Sequence, residues 1–86
     1  MTVPRFARGH RLHRDKVRQR WIILAPERVF EPDEIAVEVL LLVDGVRTMN
    51  EIIDTLAEKF TAPREAIQTD VTAMLADLRE RQVLAE

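Results

Sequence analysis

Apolar residues recur along this chain with two different rhythms. In the last two thirds they fall three and four positions apart. One set is Ile35, Val39, Leu42 and Val43; a second is Met49, Ile52, Ile53, Leu56 and Phe60; a third is Ile67, Val71, Met74, Leu75 and Leu78. That spacing gathers each set on one helical face and predicts three amphipathic helices. Their ends are marked as well. Asp33 is placed to cap the first helix, with Glu34 and Glu38 following where the helix dipole favours acids. Leu40 falls at the margin of its apolar face, and Asp44-Gly45 is expected to stop it, because helix ends often need a left-handed residue. Thr48-Met49-Asn50-Glu51 fits a capping box and opens the second helix. Thr61-Ala62-Pro63 separates the second from the third. Val83-Leu84 is expected to fold back onto the core.

Ahead of residue 33 the pieces are shorter, cut by Pro4, Gly9, Pro26 and Pro32. Arg8 to Arg14 and Arg18 to Ala25 read as strands, the second carrying the β-favouring run Trp21-Ile22-Ile23-Leu24. Asp15-Lys16 is a turn between them. Ala25-Pro26-Glu27-Arg28 is another, with proline setting the backbone at its first central position. Val29-Phe30-Glu31 then forms a brief third strand at a sheet edge. The expected fold is α+β and winged-helix-like: a short three-stranded antiparallel sheet followed by a three-helix bundle, with residues 1–86 as one domain.

Charge adds a second asymmetry. The formal net charge is only −2, but residues 1–28 carry +6 and the remainder −8. The two parts therefore face different surroundings or attract each other, unless they are simply two solvated faces. With 47% hydrophobic and 33% charged residues, the chain reads as a soluble globular domain, and its lack of a long apolar run gives no membrane span. The absence of cysteine fits a reducing compartment, and a cytoplasmic location is expected.

Candidate chemistry is sparse. With neither cysteine nor serine, the nucleophiles reduce to threonines that helix caps explain better. Two glycines build no phosphate-cradling loop. His10 and His13 are three apart in a strand-like segment, which turns them to opposite faces and argues against a metal site. The acidic pairs Glu51/Asp54 and Asp77/Glu80 read as solvated surface. No enzyme activity, metal or cofactor is expected. Nucleic acid is also a poor fit, since the acidic second and third helices would repel phosphate and leave only the basic first segment to touch it.

What remains is a binding surface. An extended peptide can add to the free edge of the third strand while the third helix supplies side-chain contact. Phe30, Val71, Met74 and Leu78 are the apolar candidates, although each also reads as core. Trp21 is likewise either an interface anchor or packing for the hairpin.

Several segments, taken in order, resemble the PqqD family. They are Leu24-Ala25-Pro26-Glu27-Arg28, Asp33 with Ala36 and Val39-Leu40, Asp44-Gly45-Val46-Arg47-Thr48, Ile52-Ile53, and Asp70-Val71 with Leu75. Pro32 and Asp33 depart from the family's usual residues, yet both suit a helix start. The resemblance implies a peptide chaperone that recognises the precursor peptide PqqA and presents it to the radical SAM enzyme PqqE in pyrroloquinoline quinone biosynthesis. It implies a peptide site at Val29, Phe30 and Glu31 of the third strand and Asp70, Val71, Met74 and Leu78 of the third helix. The edge-strand argument reaches the same place without naming a ligand. A DNA-binding or assembly-forming domain is the alternative. The basic stretch from Arg5 to Arg20 is a candidate contact for an acidic patch on PqqE. An exposed edge and a thin core leave a homodimer open.

Overall fold

The computed structural model describes residues 2–85. In chain order the elements are β1 (Arg5–Phe6), β2 (Arg11–Asp15), β3 (Arg20–Leu24), β4 (Val29–Phe30), α1 (Glu34–Leu40), α2 (Met49–Phe60), α3 (Arg64–Glu80) and β5 (Leu84–Ala85). Strands β2, β3 and β4 form an antiparallel sheet in that order, so β4 lies at its edge. The expected α+β arrangement of a three-stranded sheet and three helices is present.

The hairpin turns follow from local side chains. The Asp15 carboxylate accepts from the Val17 and Arg18 N–H groups, and Gln19 takes a left-handed φ of 54° to re-enter β3. The Ala25 N–H bonds the Arg28 carbonyl and closes the second turn. Gly9 is required beside it, because a Cβ there would come within 2.9 Å of Pro26 Cγ.

Asp33 caps α1 as expected, its Oδ1 accepting from the Ala36 N–H at 2.8 Å. The helix nevertheless ends at Leu40, short of Asp44. From there the Leu42 and Val43 N–H groups reach back only three residues, to Val39 and Leu40, which tightens the chain into turns. Asp44 then organises the connection by accepting from the Val46 and Arg47 N–H groups. These bonds, that from Arg47 first, hold its carboxyl below the usual 3.8, and the Arg47 guanidinium adds to the effect.

Helix α2 starts with the expected capping box: Glu51 N–H donates to Thr48 Oγ1, and Thr48 N–H to Glu51 Oε1. The Met49 N–H, another donor without a partner inside the helix, bonds the Thr2 carbonyl. Thr48→Ala is expected to destabilise the chain by about 1 kcal/mol. Urea unfolding should show a lower midpoint at unchanged slope; an unchanged midpoint would mean that the cap contributes nothing.

Helix α3 has no side-chain cap. Its first residue, Arg64, ties it to α2 instead, donating from Nε to Asp54 at 2.5 Å and from Nη2 to Asn50 at 3.2 Å. The left-handed Thr61 and Gln82 end α2 and the turn after α3. Strand β1 pairs with β5, which clips the two ends of the described chain together and was not anticipated.

The core joins Ile23 to Val39, Leu40, Val43, Ile52, Ile53, Leu56, Val71 and Leu75, and the returning Val83 and Leu84 complete it. Leu40, read as marginal, is fully buried. Ile35 and Phe60 correct the expectation in the opposite direction: each stands on a predicted core face but is 66% and 51% exposed. The early end of α1 rotates its contacts toward Ala36, Val39 and Leu40. Phe60 is the last residue of α2, where the helix ends at the left-handed Thr61.

Candidate functional site

Those two uncovered residues flank a groove of about 1020 Å³. Its floor is built where the helices converge, from Val39 of α1, Leu56 of α2 and Val71 of α3, all buried. Ile67 and Met74, a turn either side of Val71, extend the floor along α3, and Trp21 of β3 forms part of the opposite wall. This combination of apolar base and polar rim is what ligand sites generally present, and the volume matches the upper part of their range, about 1,000 Å³.

The rim is polarised. Arg14, Gln19 and Arg20 come from the β2–β3 hairpin, whereas Glu31, Asp33, Glu34, Glu38 and Asp70 come from the chain after β4 and from the helices. Arg14 stands over the Trp21 ring, 5.7 Å from its centroid, and its cross-strand register with Trp21 places it there. Arg20 Nη1 donates to Glu31 Oε2 at 3.1 Å across the mouth. Glu38 accepts from Lys59, and the Asp33 carboxylate is occupied by the α1 cap. Glu34 and Asp70 make no salt bridge among the described residues.

Four of the seven residues singled out from the sequence line this groove: Glu31, Asp70, Val71 and Met74. Val29, Phe30 and Leu78 do not. Val29 is 62% exposed on β4, an edge strand whose outer side has no partner strand among the described residues. Phe30 pairs with Ile23 and packs against the core, with the Arg28 guanidinium 5.2 Å from its ring centroid. Leu78, one turn beyond Met74, also packs against the core. Sequence reasoning missed Ile35, Phe60, Arg14 and Arg20 as groove residues, and left Trp21 open between interface anchor and hairpin packing. The available signal was an excess of large apolar residues over what so small a core can cover.

The histidine pair offers little chemistry. His10 Nδ1 lies 3.0 Å from the Arg8 carbonyl oxygen ahead of β2, while His13 is exposed on the strand. Among the described residues no three potential ligands cluster as a metal site, and no helix is long and apolar enough to cross a membrane.

A family model described as coenzyme PQQ synthesis protein D matches residues 20–84. A Rhodopseudomonas palustris (strain BisB5) protein named PqqA binding protein is 55% identical over 83 residues, covering 96% of this chain and 81% of its own. The bifunctional coenzyme PQQ synthesis protein C/D of Methylorubrum extorquens is 45% identical over 82 residues, 95% of this chain but 22% of that longer protein. Among solved structures, the solution structure of the PqqD truncation of Methylobacterium extorquens PqqCD superposes with a TM-score of 0.80 at 44% identity. It covers 98% of this chain and 89% of its own, and represents a functional, stand-alone recognition element for ribosomally synthesised and post-translationally modified peptides. The crystal structure of PqqD from Xanthomonas campestris gives a TM-score of 0.64 at 39% identity, covering 92% of this chain and 88% of its own.

Proposed function

Because this chain belongs to the PqqD family, we propose that it is a non-catalytic adaptor that binds the precursor peptide PqqA and presents it to PqqE in pyrroloquinoline quinone biosynthesis. One observation carries the reading. A groove of about 1020 Å³ with an apolar floor is lined by Glu31, the residue that follows the free edge strand β4, and by Ile67, Asp70, Val71 and Met74 of α3. An added strand would draw main-chain hydrogen bonds from β4 and lay alternate side chains into the groove. On this reading Val29 and Phe30 act through their backbone, Asp70, Val71 and Met74 line the groove with their side chains, Glu31 holds Arg20 at the mouth until peptide binds, and Leu78 packs against the core. Relatives named for PqqA binding support the ligand. The relative in which the matching region is one part of a bifunctional coenzyme PQQ synthesis protein suits an adaptor that works alongside enzymes.

A duplex-binding role fits less well. The exposed faces of α2 and α3 carry Glu51, Asp54, Glu58, Glu65, Asp70, Asp77 and Glu80, which repel phosphate. Titrating isotope-labelled protein with PqqA should move the amide signals of residues 29–31 and 70–78 and leave β1 and β5 unmoved. Lack of any response, or duplex affinity that falls steeply with salt in its place, overturns the adaptor reading.

A further inference from the structure

The groove contains two guanidiniums that packing alone does not call for. Arg14 lies against Trp21 and forms no ion pair among the described residues. Arg20 reaches the groove from the first position of β3 and uses Nη1 on Glu31, in a pair whose side chains are 38% and 60% exposed. Its Nε is different. That atom is sealed from solvent and has no hydrogen-bond partner among the described residues. Guanidinium is a rigid fork of five donors, so a single bond to one terminal nitrogen leaves most of its capacity unused. A sealed donor without an acceptor is rare in folded proteins, and it marks a place where a partner is missing.

We propose that Arg14 and Arg20 form an anion-recognising pole of the groove, which takes an acidic side chain of the bound peptide. The inference rests on the peptide-binding reading above. Glu31 shows the kind of group the pole accepts: a carboxylate carried on extended chain beside β4. A peptide carboxylate arriving in the groove displaces Glu31 from Arg20. The guanidinium then turns to present Nε and a terminal nitrogen together, the two-pronged geometry that carboxylates favour. Arg14 adds its charge from the Trp21 face. The remaining rim gives this pole a direction. Glu34 and Asp70, which make no salt bridge among the described residues, stand on the helix side and repel the same carboxylate. An acidic residue therefore settles only at the hairpin side, and its position along the peptide sets the binding register.

The test is a coupling experiment by calorimetry, using PqqA and a set of variants in which each Asp or Glu is changed singly to its amide. For the wild-type chain, one of these changes is expected to weaken binding about tenfold, the size of a charged hydrogen bond. Arg20→Gln should weaken unmodified PqqA about as much and abolish the effect of that one change. Arg20→Lys should recover part of the affinity, since it restores charge without the fork. Glu31→Gln should tighten binding roughly threefold by removing the competing carboxylate, and it leaves Arg20 in place should Arg20→Gln fail to fold. Equal losses on the amide changes in wild type and Arg20→Gln, or weaker binding by Glu31→Gln, overturn the pole while leaving the groove intact. If the wild-type chain binds no PqqA at all, the groove reading falls, and the pole falls with it.

Discussion

Ile52→Ala is expected to remove a large fraction of this chain's stability in the absence of ligand. The side chain is completely buried on α2, amid the residues that join all three helices to β3. Truncating such an isoleucine typically costs about 2–5 kcal/mol, because the lost transfer energy is joined by the cavity left behind. A chain of this length has a total stability of roughly 4–13 kcal/mol. The loss is therefore a large fraction of the whole, and it cannot be absorbed by a second layer of core. Urea unfolding followed by circular dichroism should show the transition shifted toward zero denaturant. Saturating peptide should restore part of it, since a ligand at a hundred times its dissociation constant adds about 2.7 kcal/mol. A transition within error of wild type would show that the helices are not joined through Ile52.

Much of this architecture was legible because its causes are local. The α2 cap is the clearest case: a Thr and a Glu three apart satisfy each other's backbone, and no distant contact is needed. The Asp33 cap and the two hairpin turns belong to the same class. What could not be read depends on contacts made across the chain. Strand β1 exists because β5 returns to it some eighty residues later, and a two-residue segment carries no periodicity to announce that. The end of α1 was overestimated because three apolar residues, Leu41, Leu42 and Val43, continue the helical pattern while their backbone tightens around the Asp44 turn. Ile35 and Phe60 have a helical pattern that names a face; it does not say whether another element covers that face.

The groove has the same character. From the sequence, Val71 and Met74 could be core or contact, and the structure divides them. Val71 is buried in the floor of the groove, while Met74, which also lines it, is only half covered. Arg14 and Arg20 looked like members of a general basic segment. Their positions in the groove lining separate them from Arg11, Lys16 and Arg18, which do not line it. The charge division along the chain is thus reproduced in miniature across one site. Bases stand on the hairpin wall and acids on the helical wall, and a bound chain experiences both at once.

Met74→Asp should abolish most peptide affinity while leaving the chain folded. Met74 contributes an adaptable apolar surface to the groove, and methionine suits a site that must accept a partner's shape. An aspartate there puts charge on an apolar floor and stands one helical turn from Asp70, so the two acids repel each other as well. In the free protein that charge is still partly hydrated, since the position is only half buried; docked peptide would strip the water away. The expected penalty of about 2–3 kcal/mol corresponds to roughly 30- to 150-fold weaker binding. Phe30→Asp would be a poorer probe. Its ring packs on the core opposite Ile23, so lost affinity could not be separated from lost fold. Val46→Asp serves as the control, because Val46 is 77% exposed and lies outside the groove. Calorimetry with PqqA, alongside circular dichroism of each variant, gives the comparison. A folded Met74→Asp that binds as tightly as Val46→Asp would move the peptide site off α3.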